Sequence, residues 1–483
     1  MLLPPLGLIL LWKDSQRPGR KIFGSFVILL YCLPYSALIV WLLIKFTGLQ
    51  VEWRGGFPPV LTYSKTVPNY DAVEKNRAEQ TRLASAVVTN RAAATAPPYW
   101  TDFRGPNRDG HYSEAPILTN WPATGLRELW REPIGGGYGS FVVAQGLAFT
   151  IEQRRELEVV AAYDLETGRE VWTNGWGAFF QESMGGDGAR ATPTYHEGKI
   201  YAQGAEGEFR CLDASKGKLI WSKNILADNK AENLKYGMAS SPLVVDDKVI
   251  VQAGGGNGSS VAAYNQLTGK TVWKSLDDQA AYSSPMTVNL AGQRQLLIAT
   301  EKRVVGLAIE DGRLLWEHAW VVKLGNRNIA QPVILSSNRF FLSAGYGTGC
   351  EAVEISKGDP GYSAHTLWKN TFLKNKFTSS VFWQGYIYGL DEDILTCLNA
   401  ETGERQWKDG RYGYGQLLLA DGYLIVLSGE GELALVKATP ERHIELARFS
   451  AIHGKTWNHP AIAEGRLLVR NAVEAACFDL SGR

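Results

Sequence analysis

The side chains of this 483-residue chain whose types are suited to chemistry fall into two groups. The first is sparse. Cys32, Cys211, Cys350, Cys397 and Cys477 include no Cys-x-x-Cys and no adjacent pair, so neither a zinc site nor a redox dithiol is built locally. Asp391, Glu392 and Asp393 stand together, but DEDILTCLNAE lacks the glycine and terminal glutamate of a Ca²⁺ loop. H-E-x-x-H, G-x-S-x-G and P-loop patterns do not occur, and no metal is assigned.

The second group lies in seven short loops, all but GRYGYGQ (410–416) leading into an x-Pro or x-Ser strand start, from QESMGGDGARATP (181–193) to HGKTWNHP (453–460). Six carry a cation, among them Arg190, Lys235, Arg327, Lys376, Arg411 and Lys455; Tyr236, Tyr282, Tyr412, Trp457, Asn458 and His459 add rings and hydrogen-bonding groups. If the loops converge, the cations would draw in an organic carboxylate, a phosphate or an acidic peptide end. The competing reading is ordinary solvated loop charge. Gln331 and His459 directly precede prolines where other loops have Thr192, Ser241 and Ser284, so His459 is expected to serve a strand start rather than catalysis. Acids expected between second and third strands, Glu206, Asp391, Glu392, Asp393 and Glu430, would neutralise the cations.

What positions these loops is a repeat. AYDLETGREVW (162–172), CLDASKGKLIW (211–221), AYNQLTGKTVW (263–273) and CLNAETGERQW (397–407) share one pattern, with weaker copies closing at Trp316, Trp368 and Phe449. The spacing suits one four-stranded propeller blade per copy. ACFDLSGR at the end supplies the first half of an eighth unit and GLRELWREPI (125–134) the second. Joining them closes the ring and removes free sheet edges. In each copy Asp or Asn bonds the turn backbone, Gly takes positive φ, and Trp seals one blade on the next. Cys211, Cys397 and Cys477 fill the slot held by Ala162, Ala263 and Ala352, as buried small apolar residues. The 51 Gly and 16 Trp suit such an all-β body, and Lys+Arg 50 against Asp+Glu 49 gives no field for nucleic acid.

The A-x-D-x-x-T-G-x-x-x-W unit resembles the repeat of pyrroloquinoline-quinone (PQQ) binding-like β-propellers, a family of quinoprotein dehydrogenases and an outer-membrane assembly lipoprotein. The resemblance covers about residues 100–483, and WTDFRGPNRDG (100–110) is similar to the lead-in of membrane-anchored bacterial members without established activity. It implies PQQ with Ca²⁺ if the chain is an enzyme. Alcohol-dehydrogenase members would carry a Cys-Cys pair and a Trp on the quinone faces, an acid and an Asn on Ca²⁺, and an Asp base. This sequence has no Cys-Cys and no C-x-x-C-H haem motif.

Before the repeats, Ile22–Ile44 is uncharged for 23 residues, roughly 34 Å of helix and enough to span a bilayer. Lys13, Arg17, Arg20 and Lys21 before it place the amino terminus in the cytoplasm and the rest outside. A cleaved signal peptide is the alternative, although its apolar region is normally shorter. Cys32 fits a lipoprotein box only loosely, and apolar Met1–Trp12 is too short to cross. The expectation is a cytoplasmic segment (1–21), a transmembrane helix (22–45), a linker (46–99) and an eight-bladed all-β propeller (100–483). The protein would sit single-pass in the inner membrane, its propeller periplasmic, acting as a scaffold for a ligand or envelope protein partner. The alternative is a PQQ-dependent oxidoreductase acting on alcohols or sugars.

Overall fold

The computed structural model describes residues 18–47, 50–52, 60–62, 67–84, 97–359 and 361–481. The chain divides into two units, residues 1–65 and 66–483. In the first, helix α1 (Pro18–Thr47) carries the uncharged run, of which Ile22–Leu43 is long and apolar enough to cross a membrane; Pro34 lies inside it. Gln50–Glu52 pairs antiparallel with Val60–Thr62. Met1–Trp12, Lys13, Arg17 and much of the expected linker lie outside the described residues.

The second unit holds eight blades, seven of them four-stranded sheets and one, blade 7, a five-stranded sheet that His111–Tyr112 joins. Blades 1 to 7 take residues 142–177, 194–224, 243–275, 286–319, 333–370, 381–411 and 416–450 in order. Blade 8 combines residues 461–479 with Glu128–Pro133, pairing Cys477 with Trp130 and Phe478 with Glu128. The ring therefore closes by joining the two ends of the repeat region, as its half-motifs imply.

The motif works across blade boundaries. The Trp130, Trp172, Trp221, Trp273, Trp368 and Trp407 indoles each donate to a backbone carbonyl of the next blade, Leu165, Ala214, Gln266, Ile309, Ala400 and Thr439. The turn glycine of that next blade lies under the ring. A Cβ on Gly217, where φ is +67°, would stand 2.3 Å from the Trp172 indole. Glycine is thus required twice, for the left-handed turn and for the neighbour's ring. The small Ala or Cys slot has a matching cause: Ala162, Cys211, Ala263, Ala352, Cys397 and Cys477 lie opposite the Trp of their own blade, at a register shift between third and fourth strands. Blade 5 lacks the T-G turn, and Trp316 instead donates to Gln295 of its own blade and stacks on Phe340.

Two features lie outside the repeat. Within the expected linker a polar helix spans Tyr70–Ala84 (α2) and buries Val73 and Arg77 against blades 8 and 1. Arg77 donates to Pro133 O at 2.8 Å and pairs with Glu170 at 3.2 Å. Tyr70 donates to Asp187 at 2.6 Å. The globular unit thus begins well before Trp100. Residues 100–112 then cross the inner strands. Trp100 O and Thr101 O accept from Val143 and Tyr195, Gly110 O accepts from Leu419, and His111–Tyr112 lies parallel to Gln416–Ala420. The fully buried Arg108 guanidinium binds Asp102, Thr194 Oγ1 and the Ser241, Pro242 and Pro285 carbonyls, while buried Arg104 reaches Ser380 O. Two cations on one loop thereby close the axis of the ring.

Candidate functional site

At the head of each inner strand stands one polar residue: Ser140, Thr192, Ser241, Ser284, Gln331, Ser379, Gln416 and His459. They tie neighbouring blades around the axis. The Ser140, Thr192 and Ser241 N–H groups donate to the hydroxyls of Thr192, Ser241 and Ser284, and Gln331 N donates to Ser379 Oγ. Gln331 Nε2 reaches back to Ser284 O, and Gln416 Nε2 binds Phe377 O and Trp457 O. Ser140 Oγ donates to His459 O and closes the circle.

The residue two positions before each ring member points the way to the mouth: Tyr138, Arg190, Ala239, Tyr282, Ile329, Phe377, Tyr414 and Trp457. Seven of these eight, all but Tyr414, line a cavity of about 190 Å³ together with Phe103, Glu182, Met184, Tyr236, Arg327 and Tyr346. Phe103, from the segment that closes the axis, packs edge-on against His459 at 5.8 Å. Trp457 stacks on Tyr138 at 5.4 Å and lies 4.6 Å from Phe377, which meets Tyr414 at 5.6 Å; Tyr236 and Tyr282 lie 6.1 Å apart. The walls are therefore ring faces, in line with an orienting cavity that is mostly apolar.

Four of the six expected cations, Arg190, Arg327, Lys376 and Lys455, stand at this mouth or against its rings, largely as braces. Arg190 donates to the Gly186 and Gly188 carbonyls, pairs with Glu182 at 3.4 Å and lies over Tyr138 and Phe180; burial lowers its pKa. Lys455 is buried, donates to Met184 O at 2.7 Å and sits over Trp457. Arg327 binds Ala280 O and Glu301. Lys376 lies over Tyr346 and Tyr414, 3.7 Å from Glu392, and burial lowers its pKa. Glu392 and Asp393 pair with Lys376 and Arg411, so these second-to-third-strand acids do meet the cations.

Three expected members do not line the cavity, although Lys235 borders it at the rim. Lys235 is exposed beside the Tyr236 ring. Arg411 ends the fourth strand of blade 6 and pairs with Asp393. Tyr412 is buried beneath Arg448 with its hydroxyl on Glu445 and His443. The fourth strand runs on to Arg411, so of GRYGYGQ only Gln416 lines the cavity, with Tyr414 behind it against Phe377. Gln331 and Asn458 lie below it. Asn458 donates to Gly137 O and Gly139 O.

His459 is buried at the edge of the cavity, with Nδ1 2.7 Å from Pro460 O and Nε2 3.1 Å from Leu417 O. Burial, followed by the nearby Arg104 cation, pushes its pKa down to about 3, so it is neutral at ordinary pH and donates through one nitrogen. Its surroundings are those of a strand-start brace. Tyr138 was missed because IGGGYGS carries no cation, although its offset from Ser140 matches that of Tyr282 from Ser284. Tyr346 and Phe103 have no repeat position and give no comparable sequence signal.

A Ca²⁺-held quinone needs six to eight oxygen ligands. The lining supplies one carboxylate, Glu182, whose oxygens already accept the Met184 and Gly185 N–H groups. Among the described residues no cluster of three His, Cys, Asp or Glu side chains is placed to hold a metal. The donor set does not fit Ca²⁺-dependent PQQ chemistry, and no step is derived through it.

Fold, repeat and ring closure together define a PQQ-like eight-bladed β-propeller. Residues 156–409 match the family described as outer membrane protein assembly factor BamB, and the chain belongs to that family. It is 22% identical over 374 residues to the assembly factor BamB of Yersinia pestis, covering 71% of this chain and 86% of that protein. It is 29% identical to quinohemoprotein alcohol dehydrogenase ADH-IIG of Pseudomonas putida over only 140 residues, 28% of this chain and 18% of the enzyme. The crystal structure of BamB from Moraxella catarrhalis superposes with a TM-score of 0.53 at 15% identity, covering 74% of this chain and 98% of that one.

Proposed function

We propose that the chain is a membrane-anchored, extracytoplasmic propeller scaffold whose channel mouth binds a partner protein of the cell envelope. One observation carries this reading: the reactive groups at the mouth, Glu182, Arg190, Lys455 and His459, are held in internal hydrogen bonds, while ring faces form its open walls. Such a surface is built for contact rather than turnover. The assembly-factor relative supports it, because that match spans most of both chains. The apolar α1 helix and the basic residues preceding it support a single inner-membrane pass with a periplasmic propeller.

Affinity capture of the full chain from detergent-solubilised membranes tests the scaffold, and a stoichiometric protein partner is expected. Recovery of none would count against it. The second reading, a PQQ-dependent oxidoreductase, rests on the short dehydrogenase match. Supplying PQQ and Ca²⁺ and following dye reduction with alcohols and sugars separates the two, since turnover would favour the enzyme.

A further inference from the structure

The mouth has a size, a wall chemistry and a charge, and together they narrow what it can hold. Its volume is about 190 Å³. A dry cavity of about 150 Å³ lined by apolar side chains accepts benzene, so this one accommodates one aromatic ring. Tyr138, Tyr282, Tyr346, Phe377 and Trp457 each keep part of a ring exposed to it, and the smaller Ala239 and Ile329 leave room on one side. Phe103 closes the inner end, so a ring enters from solvent and stops there.

The rim is positive. Arg190, Lys235, Arg327, Lys376 and Lys455 surround it against the carboxylates of Glu182, Glu301 and Glu392. An aromatic cage with this surplus opposes a cationic ligand, although ring faces alone would favour one. The inner cations are already bonded, whereas Lys235 is exposed on the solvent side. A ligand must therefore place its ring inside and its negative charge outside, on atoms flanking the ring.

We propose that the mouth seats a single aromatic side chain, Trp, Phe or Tyr, projecting from an acidic segment of a partner polypeptide. This rests on the scaffold reading and names the partner chemistry that reading leaves open. The buried ring is the anchor, and the acidic flanks supply long-range attraction and orientation through Lys235, Arg327 and Lys376.

The test uses the full chain in neutral detergent with blocked pentapeptides, Asp-Asp-Trp-Asp-Asp carrying 5-fluorotryptophan as the ¹⁹F reporter. A saturable ¹⁹F shift is expected, and the same peptide with Ala at its centre should not compete. The Lys-flanked peptide should bind at least about tenfold more weakly at low salt, the difference shrinking as salt screens the rim. Ala239→Trp, which fills the cavity, should abolish the shift. Tyr282→Ala, which removes a wall, should weaken binding about fivefold or more and stands as the independent variant should Ala239→Trp fail to fold. Absence of a saturable shift, unchanged binding by Tyr282→Ala or by folded Ala239→Trp, or equal binding of acidic and basic peptides would overturn the proposal. Membrane capture separates this from the scaffold reading: a partner retained by folded Ala239→Trp refutes the aromatic seat and leaves the scaffold standing, whereas wild-type chain that binds peptide but captures nothing refutes the scaffold alone.

Discussion

Replacing Arg108 with Ala should loosen the propeller from its axis outward. The guanidinium is fully buried and joins blades 2, 3 and 4 through Thr194 Oγ1 and the Ser241, Pro242 and Pro285 carbonyls, with Asp102 as its counter-charge at 2.9 Å. After truncation Pro242 O keeps the Thr194 hydroxyl at 2.6 Å, but the Ser241 and Pro285 carbonyls lose this donor and Asp102 loses its cation. Breaking a buried pair from one side costs about 3–5 kcal/mol, and each orphaned carbonyl about 1–3 kcal/mol where water cannot reach it. These costs overlap, so about 4–6 kcal/mol is expected. A cooperative unit of roughly 380 residues has an unfolding entropy near 0.8 kcal/mol/K, so the melting temperature should fall by about 5–8 °C. Differential scanning calorimetry of the full chain reads it, with Arg108→Lys, which keeps the charge but loses the fork, falling between. A melting temperature within about 1 °C of wild type would refute the claim that this side chain holds the axis.

The turn glycines should divide by their neighbours. Gly217→Ala drives a Cβ to 2.3 Å from Trp172 and should cost about 2–4 kcal/mol in denaturant melts, whereas Gly198→Ala, at φ +77° with nothing within 4 Å, should cost only the left-handed strain of about 1 kcal/mol. His459 is held neutral, with a folded pKa of about 3 below an unfolded value near 6.5. The unfolded chain therefore binds the extra proton between those values, and stability should fall by up to about 1.4 kcal/mol per pH unit as pH drops through that window. His459→Gln should remove that component of the slope in pH-dependent melts. Arg77→Ala removes a cation paired with Glu132 and Glu170 and should release α2, read as roughly tenfold faster proteolysis within residues 67–84 while blade 5 amides keep their hydrogen-exchange protection.

The amino-acid sequence by itself determined the blade, because each blade is a local object. Turn, small residue and Trp fall within eleven residues of one another, and repetition shows which positions serve packing. It also determined ring closure, since half a motif at Cys477 requires the other half at Trp130. The lead-in loops were legible for the same reason, and a ring member identifies its mouth residue by a fixed offset, from Ser284 to Tyr282 and from His459 to Trp457. Only the tertiary structure decided what these loops do together. Arg190 and Lys455 read as cations awaiting a ligand, but Arg190 is turned back onto the Gly186 and Gly188 carbonyls of its own folded loop, and Lys455 is engaged by Met184 O, 271 positions away, on a loop it meets only once the ring closes. Arg104 and Arg108 occur once each and bond across 276 and up to 177 positions, so no period marks them. Sequence periodicity reports what every blade repeats, whereas the mouth and its closed floor arise where the blades differ and face one another across the axis.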